Sequence, residues 1–333
     1  MFEKIIEKLY AAKNVMIFSH VNMDGDAMGS TMALCRVMRK LGKDCHILIE
    51  DAIPHYLKFM VEDDFFVDMK DYRASGAPAP DLAIAVDIGQ ESRLENRVPE
   101  YKSAKDSVCI DHHRHTSADC GFANAEVRDP SAAAACVLVQ EMIEEMEKGG
   151  ASIMDREIAE NVYTGIFTDT GSFRYSNADA RTHLCVARLF AYGIDQSKIS
   201  TCIYDSYPQP QLKMEALAMS RVQIFAGGKG CYSWVRQEDF ANLGADMSMS
   251  ETCIDRLRSI EGVEVAAFFK QIADGTYKVS MRSKRYADVG TICTHYNGGG
   301  HKMAAGCSFS CSLEEAIPQL KAGIEEELAK WTE

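Results

Sequence analysis

The stretch at residues 18–30, FSHVNMDGDAMGS, sets His20, Asp24 and Asp26 within seven positions, just where an apolar run ends and a helical pattern begins. Asp and Asn favour tight turns, and Gly25 relaxes one, so these residues alone admit a plain turn. They equally admit a cation site, because carboxylates and imidazole are ligands that suit ions such as Mn2+ or Mg2+. The flanking sequence decides between the two.

Upstream, NVMIFSH reads as a strand; downstream, a helix is expected from about residue 30, with Leu34, Val37, Met38 and Leu41 on one face and Gly42 at its end. DCHILIE, LAIAVDIG and SVCIDHH are further short β-rich runs of the kind buried on both faces of a sheet. Between and after them lie helical patterns: SAAAACVLVQEMIEEM, stopped at Gly149 and Gly150, and a segment from Asp155 with Ile158, Val162 and Ile166 on one stripe. This alternation predicts an α/β fold, a largely parallel sheet flanked by helices. The texture changes after about residue 190. YDSYPQPQ is a natural break, a helix is expected over 211–220, and RVQIFAGGKGCYSWV reads as a hairpin. VEVAAFFKQIADGTYKVSMRS repeats the arrangement around an Asp-Gly turn. The expected organisation is an α/β domain at 1–190, a helical linker at 191–215 and a smaller α+β domain at 216–333.

A chain of 333 residues that is 47% apolar and 26% charged can bury two ordinary cores. Its net charge of −13 argues against a general grip on long duplex nucleic acid, which needs basic surface. It leaves room for a small phosphorylated ligand held by metals and a few arginines. The 12 cysteines are scattered singly in apolar runs with no CxxC pair, as in proteins of a reducing compartment. MFEKIIEKLYAAK has no apolar h-region, and no run reaches the roughly 18 apolar residues of a membrane span. A soluble, cytoplasmic protein without a membrane partner is expected.

The polar residues fall at the strand ends. LAIAVDIG delivers Asp87, SVCIDHH delivers Asp111, His112 and His113, and NVMIFSH delivers His20 and leads on to Asp24 and Asp26. The helix from Asp155 adds Asp169 where it ends. Ligands of open α/β sheets gather outside the carboxyl ends of the strands. Carboxylates crowded there repel one another unless cations lie between them. A divalent-metal site is therefore expected, and the absence of thiolates favours Mn2+ or Mg2+ over a structural zinc.

The set HVNMDGDAMGS, VDIG, DHH and TDTGSF resembles, in order and rough spacing, the four motifs of the DHH phosphoesterase superfamily. VSMRSKRYADVGTICTHYNGGGHKMAAG is similar to its DHH-associated C-terminal domain, and the overall likeness is to the nanoRNase and pAp phosphatase branch. The resemblance implies two divalent ions, Mn2+ first, with Mg2+ or Co2+ also fitting. His20 and Asp24 would hold one, Asp26, His112 and Asp169 the other, and Asp87 would bridge them. Asp111 would ligate or orient its neighbours, and His113 would face the substrate, giving His113 and Asp111 the catalytic roles beside a metal-activated water. In the second domain, Arg282, Gly298, Gly299, Gly300 and His301 would bind substrate phosphate or base, the glycines by close approach of an amide nest. Arg285, Lys302 and Arg114 read as solvated charges, and Phe173 and Tyr175 as core.

The activity so implied is hydrolysis of short oligoribonucleotides to mononucleotides and removal of the 3′-phosphate of pAp to give AMP. A cyclic di-AMP or pApA phosphodiesterase is the alternative. An exopolyphosphatase and a nucleotide-binding module without catalysis stand further off. The implied partners are short RNA, pAp and similar small nucleotides, and a homodimer is compatible with the fold.

Overall fold

The computed structural model describes residues 1–113 and 121–331, with His301 described by its backbone alone; Arg114 therefore lies outside the described residues. The chain forms two compact units, Met1–Ser206 and Tyr207–Glu333.

In chain order the first unit contains α1 (Glu3–Ala11), β1 (Asn14–Phe18), α2 (Gly25–Lys40), β2 (Asp44–Ile49), β3 (Phe66–Asp68), α3 (Met69–Ser75), β4 (Leu82–Val86), α4 (Val98–Ser103), β5 (Asp106–Asp111) and β6 (Ala125–Arg128). It ends with α5 (Ala135–Glu147), α6 (Arg156–Asp169), α7 (Ala180–Phe190) and α8 (Gln196–Tyr204). The strands form one parallel sheet in the order β3-β2-β1-β4-β5-β6. Alternate residues feed opposite faces, as the pleat requires. Val15 and Ile17 enter one core, with α2, α5 and α6, while Met16 and Phe18 enter another on the far side. The strand order reverses between β1 and β4, and that is where such sheets open a crevice at their carboxyl edge.

α2 starts at Gly25, five residues before the expected position. Asp24 sets this boundary: its Oδ1 accepts the backbone N–H groups of Asp26 and Ala27, both at 3.0 Å, and so caps the helix. Asp26 is thereby carried into the first, buried turn. α2 then lies against α6 at very short range. A Cβ on Gly165 would sit 2.3 Å from Cys136 Sγ and 2.7 Å from Asp26 Oδ1, so only glycine fits this crossing.

The second unit runs α9 (Gln209–Ser220), β7 (Gln223–Phe225), β8 (Gly230–Val235), α10 (Gln237–Leu243), α11 (Cys253–Arg258), β9 (Val265–Ala273), β10 (Thr276–Ser283), α12 (Val289–Thr294), β11 (Gly299–His301), β12 (Ala304–Phe309) and α13 (Leu313–Ala329). Its mixed sheet has the order β11-β12-β10-β9-β8-β7, in which the antiparallel run β11-β12-β10-β9 and the antiparallel hairpin β8-β7 join through the parallel pair β8–β9. One face is covered by α12 and α13, the other by α9, α10 and α11. The segment expected as a linker is thus divided: α8 packs on α6 in the first unit, and α9 packs on α11 in the second. Among the described residues every cysteine is a free thiol, and all but Cys202 and Cys311 are buried. No described helix is long and apolar enough to cross a membrane.

Candidate metal centre

Six side chains converge at the crevice between β1 and β4. His20, Asp24 and Asp87 each bring one ligand atom within 4.8 Å of the others, as do Asp26, His112 and Asp169. A third grouping joins Asp87, His112 and His113, so the two triads abut rather than stand apart.

The two imidazoles are set in the same way. His20 Nδ1 lies 2.8 Å from the Val21 carbonyl, which requires Nδ1–H, and Nε2 then faces Asp24 at 3.6 Å and Asp87 at 3.4 Å. His112 Nδ1 lies 3.3 Å from the Ala132 carbonyl, and its Nε2 faces Asp26 at 3.7 Å, Asp87 at 3.4 Å and Asp169 at 3.5 Å. A carbonyl that fixes one ring nitrogen and frees the other for a cation is the usual support of a ligating histidine.

The carboxylates are anchored through the backbone. Asp24 gives Oδ1 to the start of α2 and leaves Oδ2 to His20. Asp26 accepts the N–H groups of Ala135 at 2.5 Å and Cys136 at 3.0 Å, the first two residues of α5. It caps that helix from outside, because the N-cap position is Ala134 and has no side-chain acceptor. Asp169 is the last residue of α6; Asn177 Nδ2 donates to its carbonyl at 3.1 Å and to that of Ala133 at 3.2 Å. Asp87, one residue beyond β4, has a φ of 59°, a left-handed conformation costing roughly 1–2 kcal/mol for a residue with a Cβ. Local strain of this kind concentrates at functional sites.

Asp87 supplies the test of whether a cation fits. Its Oδ1 is buried and meets no hydrogen-bond donor, with His112 Nε2 at 3.4 Å and His113 Nδ1 at 3.5 Å. A buried carboxylate oxygen left in this state is costly unless positive charge answers it. Two oriented imidazoles and four aspartates around it form an oxygen-and-nitrogen donor set that fits a divalent cation.

The protonation states carry the same message. Burial opposes a charge on His20, but Asp24 and Asp87 overcome it and push its pKa up to about 10. For His112, burial is likewise outweighed, by Asp87, Asp26 and Asp169, and the value again rises to about 10. Burial and the Asp26 charge lift Asp169 to about 9, and burial and Asp87 lift Asp26 to about 6. Asp87 goes the other way: burial would raise it, but His112 and His20 hold it well below the usual range. Without metal, protons hold the cluster together.

Both imidazoles bind protons more tightly folded, at about 10, than unfolded, at the usual 6.5, so their stabilisation is complete below about 6.5 and is lost as the pH rises through 10. Asp169 adds to this trend, since its carboxyl is lifted from 3.8 to about 9. The metal-free protein is therefore expected to melt at lower temperature at pH 9 than at pH 7. Affinity for Mn2+ should rise over the same interval, with protons released, because ligands must shed them to bind. Calorimetry in two buffers of different ionisation enthalpy measures that release; an affinity independent of pH would refute this account of the cluster.

Asp111 is fully buried and joins none of the three groupings among the described residues. Its Oδ1 lies 2.8 Å from His113 Nδ1, and its Oδ2 accepts the His113 backbone N–H at 3.3 Å. That geometry orients His113. Several supports were not read from the sequence. The loop before α5 serves the site through the Ala132 carbonyl and the Ala135 and Cys136 amides, and DPSAAAAC carried the signal only as small residues ahead of a helix. Arg97, 1% exposed, donates to the carbonyls of Ser19 at 2.9 Å and Leu48 at 3.0 Å, clamping the strand end that leads to His20.

Of the residues expected to bind substrate, Arg282 lies on β10, donates to the Met281 carbonyl at 3.0 Å and pairs with Ala304, which in turn pairs with His301. The close approach expected of a ligand at the glycines is made in part by the protein itself. A Cβ on Gly298 would sit 2.1 Å from the Gly306 carbonyl oxygen, and one on Gly300 would sit 2.6 Å from that of Ala304, whereas Gly299 has open space. The His301 side chain lies outside the described residues. Phe173 packs with Tyr163 and Phe167, but Tyr175, read as core, is exposed.

A six-stranded parallel sheet with this cluster at its switch point defines an α/β protein built to ligate metal. The family model described as DHH family, N-terminal domain, matches residues 14–166, and the DHHA1 domain matches residues 227–330. The chain thus carries a DHH N-terminal domain followed by a DHHA1 domain. It is similar to the bifunctional oligoribonuclease and PAP phosphatase NrnA of Thermus thermophilus, 28% identical over 95% of this chain and 90% of that protein. The protein of the same name in Bacillus subtilis is 24% identical over 92% of this chain and 93% of its own length. Among solved structures, an exopolyphosphatase-related protein of Bacteroides fragilis shares the fold, with a TM-score of 0.89 and 23% identity over 98% of this chain and 95% of that one.

Proposed function

We propose that this chain is a metal-dependent phosphoesterase that hydrolyses short oligoribonucleotides to mononucleotides and removes the 3′-phosphate of pAp. The observation that carries the reading is the meeting of His20, Asp24 and Asp87 with Asp26, His112 and Asp169 at one sheet edge. The relatives named as bifunctional oligoribonucleases and PAP phosphatases, matched over nearly their whole length, supply the substrate class.

In this reading His20 and Asp24 would hold one divalent ion and Asp26, His112 and Asp169 a second, Mn2+ by preference, with Asp87, which groups with His20 and Asp24 and also with His112, serving both. Bound there, they acidify water and offset charge on phosphoryl oxygens. The protein's own residues do the rest. Asp111 accepts the His113 Nδ1–H and so fixes the ring, and the imidazolium form then donates Nε2–H to a phosphoryl oxygen as charge gathers on it. Asp87, held fully ionised, keeps the centre of the cluster anionic. In the second unit, Arg282 and the segment 298–301 hold the phosphate groups of the substrate, arginine by its bidentate fork. The net charge of −13 disfavours long polyanions and so favours substrates of a few nucleotides.

Steady-state rates with Mn2+ on pAp, pApA, cyclic di-AMP, a trinucleotide and a 24-mer RNA test the assignment. The trinucleotide and pAp are expected to lead. Preference for the 24-mer would overturn the short-substrate reading, and preference for cyclic di-AMP would turn it into the alternative phosphodiesterase.

A further inference from the structure

The second unit carries a cluster that the chemistry above leaves unused. Tyr286, in the loop between β10 and α12, and Trp331, two residues past α13, have ring centres 5.4 Å apart at an interplanar angle of 44°. Lys302 Nζ lies 5.4 Å from the centre of the Trp331 ring, and the Arg285 guanidinium lies 5.8 Å from that of Tyr286. Trp331 is 42% exposed, so a large part of its indole faces solvent.

Two carboxylates hold this cluster in place. Glu264, 1% exposed, accepts on one oxygen the backbone N–H groups of Arg285 at 2.9 Å, Tyr286 at 2.7 Å and Ala287 at 3.1 Å. Glu327, also buried, accepts the Asp288 N–H at 2.9 Å and the Trp331 indole N–H at 3.4 Å. The Lys302 carbonyl is fixed by the Val289 N–H at 2.9 Å and Ser283 Oγ at 3.3 Å. The rings are thus pre-organised, and a ligand stacking on them has little disorder to remove. The cluster also borders the substrate segment: Lys302 follows His301 directly, and Ser283 follows Arg282.

We propose that Tyr286 and Trp331, flanked by Arg285 and Lys302, form a stacking subsite for a further nucleobase of a short oligoribonucleotide. The proposal rests on the functional reading above. Adjacent aromatic faces beside cations suit single-stranded RNA, because every base has a π-face and every linkage a phosphate. The nearby acids are buried and engaged, Glu264 with backbone N–H groups and with Arg285 Nε at 3.5 Å, which tethers that guanidinium beside Tyr286, and Glu327 with backbone, indole and Lys330. pAp has a single base and gains nothing from a second platform. A trinucleotide does, so the cluster sets chain-length preference.

The test compares Trp331→Ala and Tyr286→Ala with wild type on pAp and on a trinucleotide, measuring kcat and KM separately. The ratio of trinucleotide KM to pAp KM is expected to rise about tenfold in each, within the range for losing one base–aromatic stack. Trp331→Phe should restore most of it. Trp331 lies beyond the last helix, and Tyr286→Ala reads out the other ring independently. Wild type active on both substrates, with variants whose KM ratio is unchanged, would overturn the subsite alone. Wild type inert on both would overturn the functional reading and the subsite with it.

Discussion

Asp87→Asn is expected to lower kcat on pAp and on a trinucleotide by roughly a thousandfold, the upper range for losing one electrostatic anchor in an active site. Asparagine is the informative substitution. It tolerates the left-handed conformation that Asp87 adopts at φ 59°, and it keeps the size of the side chain while removing its charge. Alanine would add backbone strain to the chemical loss and confuse the two. Without that charge, His20 and His112 lose the carboxylate common to both, so their pKa values should fall from about 10, which NMR titration of the metal-free protein detects. Activity within tenfold of wild type would remove Asp87 from the centre of the mechanism.

Gly165→Ala is expected to destabilise the first unit by about 1–3 kcal/mol, the usual cost of forcing a methyl into a packed core, and to weaken Mn2+ binding at the same time. The new Cβ would meet Cys136 Sγ at 2.3 Å and Asp26 Oδ1 at 2.7 Å, so relief in either direction disturbs the cluster or its support. Adding Cys136→Ala opens space on one side. The double variant should therefore regain part of its melting temperature but not its metal affinity, because the Asp26 contact remains. Full recovery of both would mean that Cys136, and not Asp26, bears the clash.

Much of this was legible because parallel strands announce themselves. LAIAV is apolar throughout and DSVCID is apolar in its middle, and the residues at or just past their ends are polar, so strand ends and cluster residues are read together. The start of α2 was misplaced because periodicity registers apolar faces, and its first turn is Gly25, Asp26 and small residues. The capping of α5 by Asp26 spans more than a hundred positions, and no local pattern records it. The glycines at 298–300 are read less fully, since sequence reports the missing Cβ but not which neighbour uses the room. Tyr286 and Trp331 stand 45 positions apart and become a pair only once α12, β12 and α13 have folded.

The chain divides after Ser206, and every carboxylate and imidazole of the cluster belongs to residues 20–169, on one side of that division. Under the proposed function, hydrolytic hardware and substrate choice would therefore diverge separately. In that reading, substitutions in the C-terminal module would redirect the protein toward other phosphoesters without forfeiting a single donor of the cluster.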